Sequence, residues 1–363
     1  MKKSICFIAQ FPPPIHGLSK AIETLYTSSL EHKYAFRKID ITNSRALLKN
    51  IWDVFLTKND LFYFTISQTR KGNWRDLVIL KILQWQHKKC LIHLHGGYYR
   101  KMLESDCGNF QRRLNYKLIR QVNAVIVLGS SLVSIFQGMI DENKIFIVPN
   151  CVDNQYILNS KMSCIKVNGL IVQPVLHFLY LSNFIKTKGY RDVLLLALKM
   201  KKEGRIDVHF HFAGKFFQKE EKDYFTDFIS NNHLAEIVTY HGVVSGKEKC
   251  ELLKLCNVFI LLTRYPNEGQ PISILEAMGN AMAIVTTNHA GIPDVVKDGE
   301  NGLVVDKGQI DLESIYSYLL QINDNRELLK RICERNYQIA TTQYTEQQYI
   351  ANMDKIFQTV LKE

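Results

Sequence analysis

The chain reads as an α/β protein of two lobes in tandem, each a parallel sheet covered by helices on both faces. Three observations predict this. The 363 residues suit two domains at roughly 100–200 residues each. Short apolar runs alternate with longer stretches of helical periodicity, the pattern of strands joined by crossover helices. That alternation comes as two successive series, separated by a weakly periodic, polar stretch at 151–174. Such a doublet argues for two Rossmann-like domains. They are expected over 1–165 and 166–340, with a C-terminal helix over 341–363 packing back on the first.

In the first series, 4–9 reads as a strand, followed by a Pro-rich loop and a helix from about 19 to 30. Strands follow at 60–66, 90–94, 124–128 and 144–148, with helices at 75–87 and 110–121. In the second series the strands are 175–181, 208–213, 237–240, 257–262 and 283–286, with helices at 189–201, 247–256 and 272–280. The tail closes on an amphipathic helix, because Tyr349, Ile350, Met353, Ile356, Phe357 and Val360 recur at helical spacing.

Composition narrows the class. A hydrophobic fraction of 46% and a charged fraction of 22% are ordinary for a globular protein, and each half is long enough to bury a core. The apolar run at 5–9 is too short for the core of a signal peptide and runs into Pro12-Pro13-Pro14, so a buried first strand is the better reading. No stretch approaches the roughly 18–20 apolar residues that cross a bilayer. The eight cysteines form no C-x-x-C pair, and several lie in apolar runs, as expected of buried thiols in a reducing compartment. A cytoplasmic protein is the expectation, peripheral on the inner membrane face if its charge serves docking. The formal charge of +11 fits nucleic acid, an anionic membrane or a phosphorylated substrate, and does not choose among them.

The chemistry concentrates at 267–302. Glu268-Gly269-Gln270-Pro271 follows a strand and precedes a helix, so the turn presents backbone N–H groups where an anion is favoured. Glu276 lies within that helix, eight residues after Glu268. Two carboxylates at a strand–helix switch suit a polyhydroxyl ligand, since each oxygen accepts from neighbouring hydroxyls. The plain alternative is a helix cap at Glu268 and a surface salt bridge at Glu276.

The run from Glu268 to Glu276 resembles the E-x7-E signature of the retaining glycosyltransferases of family 4. The likeness continues through Ala277-Met278, Gly291-Ile292-Pro293-Asp294-Val295-Val296, Asp298-Gly299 and Asn301-Gly302. The resemblance implies a GT-B architecture with an interdomain cleft. It implies that Glu268, Gly269, Gln270 and Pro271 contact the donor sugar and phosphates, and that Glu276 holds the ribose. Other segments agree in order. Gly17 in the loop after the first strand would let a diphosphate approach the backbone, with His16 where relatives carry a glycine. His95, in His95-Gly96-Gly97, stands where the family carries a His-Gly near the reacting sugar; His93 is the competitor. The loop from Ser182 to Gly189 resembles the family's phosphate loop, with Lys188 matching its Lys and Asn183 in place of its Arg. Lys186 or Arg264 would then supply the missing charge. Gly214 resembles the base-binding region.

The reading that follows is transfer of a hexose-type sugar from a nucleotide-diphosphate sugar to a glycan or lipid-linked glycan, with retention, in bacterial surface polysaccharide synthesis. His95, Glu268 and Lys188 are the expected catalytic residues. No D-x-D pair stands out, Asp106, Asp141 and Asp153 being isolated, so no metal and no cofactor are expected. A nucleotide-sugar epimerase of the same fold and a non-catalytic sugar-nucleotide binder remain as alternatives. No nucleic-acid motif is present. Basic residues between Arg100 and Arg120, interleaved with Tyr98, Tyr99, Phe110 and Tyr116, suit an anionic membrane surface or simply a solvated helix face.

Overall fold

A computed structural model describes residues 2–14, 17–205 and 207–362. Ile15 and His16 of the Pro-rich loop lie outside the described residues, so the expected departure at His16 has no structural account. The chain divides into two compact units, one of Met1–Cys151 with Glu346–Glu363, the other of Val152–Thr345.

The first unit holds β1 Ser4–Ala9, β2 Ala35–Asp40, β3 Leu61–Thr65, β4 Cys90–His93, β5 Ala124–Val127 and β6 Ile145–Ile147. They form one six-stranded sheet in the order β2-β1-β3-β4-β5-β6, with every pairing parallel. The second unit holds β7 Leu176–Leu181, β8 Val208–Ala213, β9 Val238–Tyr240, β10 Val258–Leu261, β11 Ala283–Thr287 and β12 Gly302–Val305. Its sheet, also parallel, runs β12-β11-β10-β7-β8-β9. These are the two doubly wound orders, and all strands being parallel, it is the order of winding that reverses between β1 and β3 in one unit and between β7 and β10 in the other. Central strands such as β3, β5 and β10 are buried throughout, as a sheet covered on both faces requires.

Two strands escape the sequence pattern, β2 and β12, and both are sheet edges. In β2 only Ile39 is fully buried, so its apolar signal is faint. The stretch expected to be an irregular connection contains a helix, Ser160–Gly169, capped by the Asn159 side chain accepting from Met162 N. It buries only Ser163 and Val167, which leaves no stripe to read. The chain leaves the first unit after Cys151, earlier than the boundary read at 165, because Val152 N already bonds Tyr344 O of the second unit. The helix Arg326–Gln343 stays with the second unit, while Glu346–Lys362 belongs to the first. There Tyr349, Met353, Ile356, Phe357 and Val360 share one core with Phe7 and Tyr63.

Candidate functional site

In an open α/β sheet a ligand finds its crevice at the carboxyl ends of the strands, where the winding reverses. In the second unit that point lies between the loops following β7 and β10. The β7 loop closes on Gly189, whose φ is +84° and whose added Cβ would stand 2.2 Å from Leu262 O at the end of β10. Arg264 N then bonds Thr187 O at 2.6 Å, so the two loops are knitted backbone to backbone. On the other side Gly214, after β8, has φ +148°, and a Cβ there would lie 1.9 Å from Ser182 O. Only glycine permits these approaches.

The knitting brings the charged groups together. Lys188 Nζ donates to Glu268 Oε2 at 2.6 Å. The same oxygen accepts from Thr263 Oγ1 at 3.0 Å. Lys188 also stands over the Tyr265 ring, 4.7 Å from its centroid. Glu268 is only 7% exposed, so the salt bridge is largely desolvated. Gly269 O accepts from Gly291 N, which ties the turn to the Gly291-Ile292-Pro293 segment. Pro271 then caps the helix Ile272–Gly279, and Gln270 is buried beside it. His289 Nε2 donates to Tyr265 O, while its Nδ1 accepts from Lys307. Burial lowers its pKa, and the neighbouring Lys307 acts in the same direction.

Glu276, 4% exposed, sits on the fifth position of the buried helix Ile272–Gly279. Its Oε1 accepts from Lys249 Nζ at 2.6 Å, and Lys249 in turn lies over the Tyr156 ring. Neither carboxylate is the exposed surface group of the plain alternative.

Asn183 is exposed, and its carbonyl accepts from Tyr180 Oη. Of the two basic side chains expected to replace the missing Arg, Arg264 is committed elsewhere: its Nη2 lies 2.5 Å from Asp192 Oδ2. Lys186 is exposed on the same turn as Lys188.

In the first unit, Gly17 opens the helix Gly17–Tyr26 beyond the carboxyl end of β1. His95 follows β4, and its ring lies 3.9 Å from that of His93, centroid to centroid. His93 is the last residue of β4, fully buried, with Tyr63 Oη 2.6 Å from its Nδ1. Burial holds His93 neutral, its pKa well below the usual value. Among the described residues, no group of three or more His, Cys, Asp or Glu is arranged to hold a metal ion.

Residues 168–339 match the family model described as glycosyl transferases group 1. The glycosyltransferase match takes in all of β7 to β12 and both members of the Lys188–Glu268 pair. N-acetyl-alpha-D-glucosaminyl L-malate synthase of Bacillus anthracis is 24% identical over 246 residues, 68% of this chain and 62% of its own length. The capsular polysaccharide biosynthesis glycosyltransferase CapM of Staphylococcus aureus is 23% identical over 254 residues, 66% of this chain and 57% of its own. The chain thus spans about three fifths of the length of these relatives. Crystal structures of Anabaena Alr3699/HepE, in complex with UDP or with UDP-glucose, match at TM-scores of 0.74 and 0.73. They share 15% identity with this chain and cover 98% and 99% of it and 100% of their own. The architecture is GT-B.

Sequence reasoning missed Thr263, Tyr265, Lys249 and His289. Thr263 and Tyr265 carried a signal, since both fall between a strand and Glu268. Lys249 carried none: it is one of several lysines on an exposed helix, selected only by tertiary packing.

Proposed function

We propose that this chain is a retaining glycosyltransferase that moves a hexose-type sugar from a nucleotide-diphosphate sugar to a glycan or lipid-linked glycan of a bacterial surface polysaccharide. The observation that carries the reading is the desolvated Lys188–Glu268 pair where the winding of the second unit's parallel sheet reverses. It offers a cation for the leaving diphosphate and a carboxylate for sugar hydroxyls within one hydrogen bond of each other.

The roles follow from the groups present. Lys188 carries three N–H donors, one of them spent on Glu268, so others reach a phosphate oxygen. The backbone of Gly269, Gln270 and Pro271 at the start of a buried helix adds dipolar stabilisation of negative charge. Glu276 accepts from the ribose hydroxyls, exchanging its bond to Lys249 for bonds to the ligand. Gly214 admits the nucleoside to close approach and Asn183 donates a neutral hydrogen bond. The resemblance assigns Gly17 to the diphosphate and His95 to the reacting sugar. In the reaction the bond from the sugar's anomeric carbon to the phosphate oxygen breaks, and the diphosphate takes the electron pair. The acceptor oxygen attacks the same face through an oxocarbenium-like state, and its proton passes to the departing phosphate. Retention then needs no protein nucleophile. The binding of UDP and UDP-glucose by Alr3699/HepE supports a nucleotide-sugar donor.

The test is product analysis with candidate donors and glycan acceptors, after a thermal-shift screen has found the nucleotide that raises the melting point. Transfer that requires an acceptor supports the reading. Epimerised donor without acceptor, or full turnover by Glu268→Ala, overturns it.

A further inference from the structure

The first unit carries an apolar surface that neither core nor donor chemistry uses. The helix Leu47–Leu56 turns Asn50 and Val54 inward. It leaves Leu48, Trp52 and Leu56 in solvent, at 82%, 59% and 55% exposure. Positions spaced by four form one stripe along a helix, so this is an apolar stripe facing outward. The neighbouring helix Arg70–Trp85 repeats it with Trp74, Val78 and Trp85, the last 67% exposed. The stripes are continuous: Phe55 stacks on both Trp52 and Trp85, and Trp74 stacks on Phe110 of the helix Asn109–Ile119. All three tryptophans of the chain lie on this surface. A contiguous exposed patch of this kind marks an interaction site.

Charge decides what covers it. Residues 44–120, which contain all three helices, hold fifteen Lys and Arg against five Asp and Glu, a net +10 out of the chain's +11. Lys49 and Lys81 are exposed within the stripes themselves, at helical spacing from Trp52 and Trp85. A second copy would bring two such faces together against their own repulsion. An anionic bilayer attracts the lysines, whose stems lie along the apolar surface while their ends reach headgroups, and it accepts tryptophan at the interface. We infer that this three-helix face docks the chain on an anionic lipid bilayer, with Trp52 and Trp85 as its anchors. The patch legible in the sequence between Arg100 and Arg120 shares Phe110 and its helix with this face, but not all of it is available: Tyr99 is buried against Asn115, and Arg100 is held by the carbonyls of Ser134 and Gln137.

The test uses the full chain with vesicles of phosphatidylcholine alone or mixed with phosphatidylglycerol, at low and high salt. The expected result is flotation with the anionic vesicles at low salt and a blue shift of tryptophan emission. W52A/W85A should partition about tenfold or more weakly. K49E/K81E should lose the preference for anionic vesicles. Unchanged circular dichroism and nucleotide-induced thermal shift in both variants assign the loss to the surface and leave the donor chemistry standing. Wild-type protein that stays in solution at low salt overturns the inference. So does a dimer in light scattering whose tryptophan emission is already blue without lipid.

Discussion

Lys188 Nζ and Glu268 Oε2 lie 2.6 Å apart although the two residues are separated by 80 positions in the chain. They meet because β7 and β10 are neighbours at the centre of the sheet, and their following loops are locked by Gly189 and Leu262. The pair makes the position of each side chain depend on the other. Glu268→Gln removes the charge balance while keeping the shape. The expected outcome is a fall in kcat of about a hundredfold or more. Lys188→Ala is expected to weaken nucleotide-diphosphate binding as well as turnover, seen as a lost thermal shift.

Glu276 answers differently, because it is assigned to the ribose and not to the reacting carbon. Glu276→Gln is expected to raise KM for the donor roughly tenfold, the worth of a charged hydrogen bond, while kcat changes little. Steady-state kinetics over a range of donor concentrations separates the two effects. An equal fall in kcat would move Glu276 into the reacting set.

The backbone approach at Gly214 gives a stability prediction. Gly214→Ala places a methyl where Ser182 O now lies, in a conformation that side chains rarely adopt. The loss is expected to be on the order of 3 kcal/mol. Urea unfolding followed by circular dichroism measures it, and donor binding should fall with it.

The C-terminal helix Glu346–Lys362 contributes five buried side chains to the first unit's core. At about 2 kcal/mol each this approaches 10 kcal/mol, comparable with the whole stability of a domain. A chain truncated after Thr345 is therefore expected to lose the cooperative unfolding of the first unit. Limited proteolysis would show 1–151 cut rapidly while 152–345 persists.

A chain of histidines crosses the second sheet. His177 Nδ1 lies 2.9 Å from His211 Nε2, and His211 Nδ1 lies 2.9 Å from His241 Nε2. Burial, aided by the neighbouring histidines, pulls the His211 pKa down to about 3 from its ordinary 6.5. The folded group resists a proton that the unfolded chain accepts. Its contribution is therefore complete above about pH 6.5 and declines below it as the unfolded state takes up the proton. At about pH 5.5 the cost from His211 alone is about 1.2 kcal/mol relative to neutral pH. Urea unfolding at the two pH values should show this loss, and His211→Gln should reduce it.

How much of this was legible in the sequence follows from physical rules about burial. Central strands announce themselves as unbroken apolar runs, and the tail helix by its spacing, because both are selected by a core. Edge strands β2 and β12 and the helix Ser160–Gly169 bury too little to leave a pattern. Glu268 and Glu276 stood out as two carboxylates at a strand–helix switch that resemble the E-x7-E signature, and Lys188 through the resemblance of its loop to the family's phosphate loop. By itself, then, the sequence determined the α/β class, the doublet of sheets and the local turns that bear the candidate residues, since each depends on periodicity within a few residues. Only the tertiary structure decided which distant groups meet: Lys188 with Glu268, Lys249 with Glu276, Arg264 with Asp192. It also decided that apolar stripes on two helices face water. Strand order and helix orientation set those relationships, and neither is encoded in any local window of the chain.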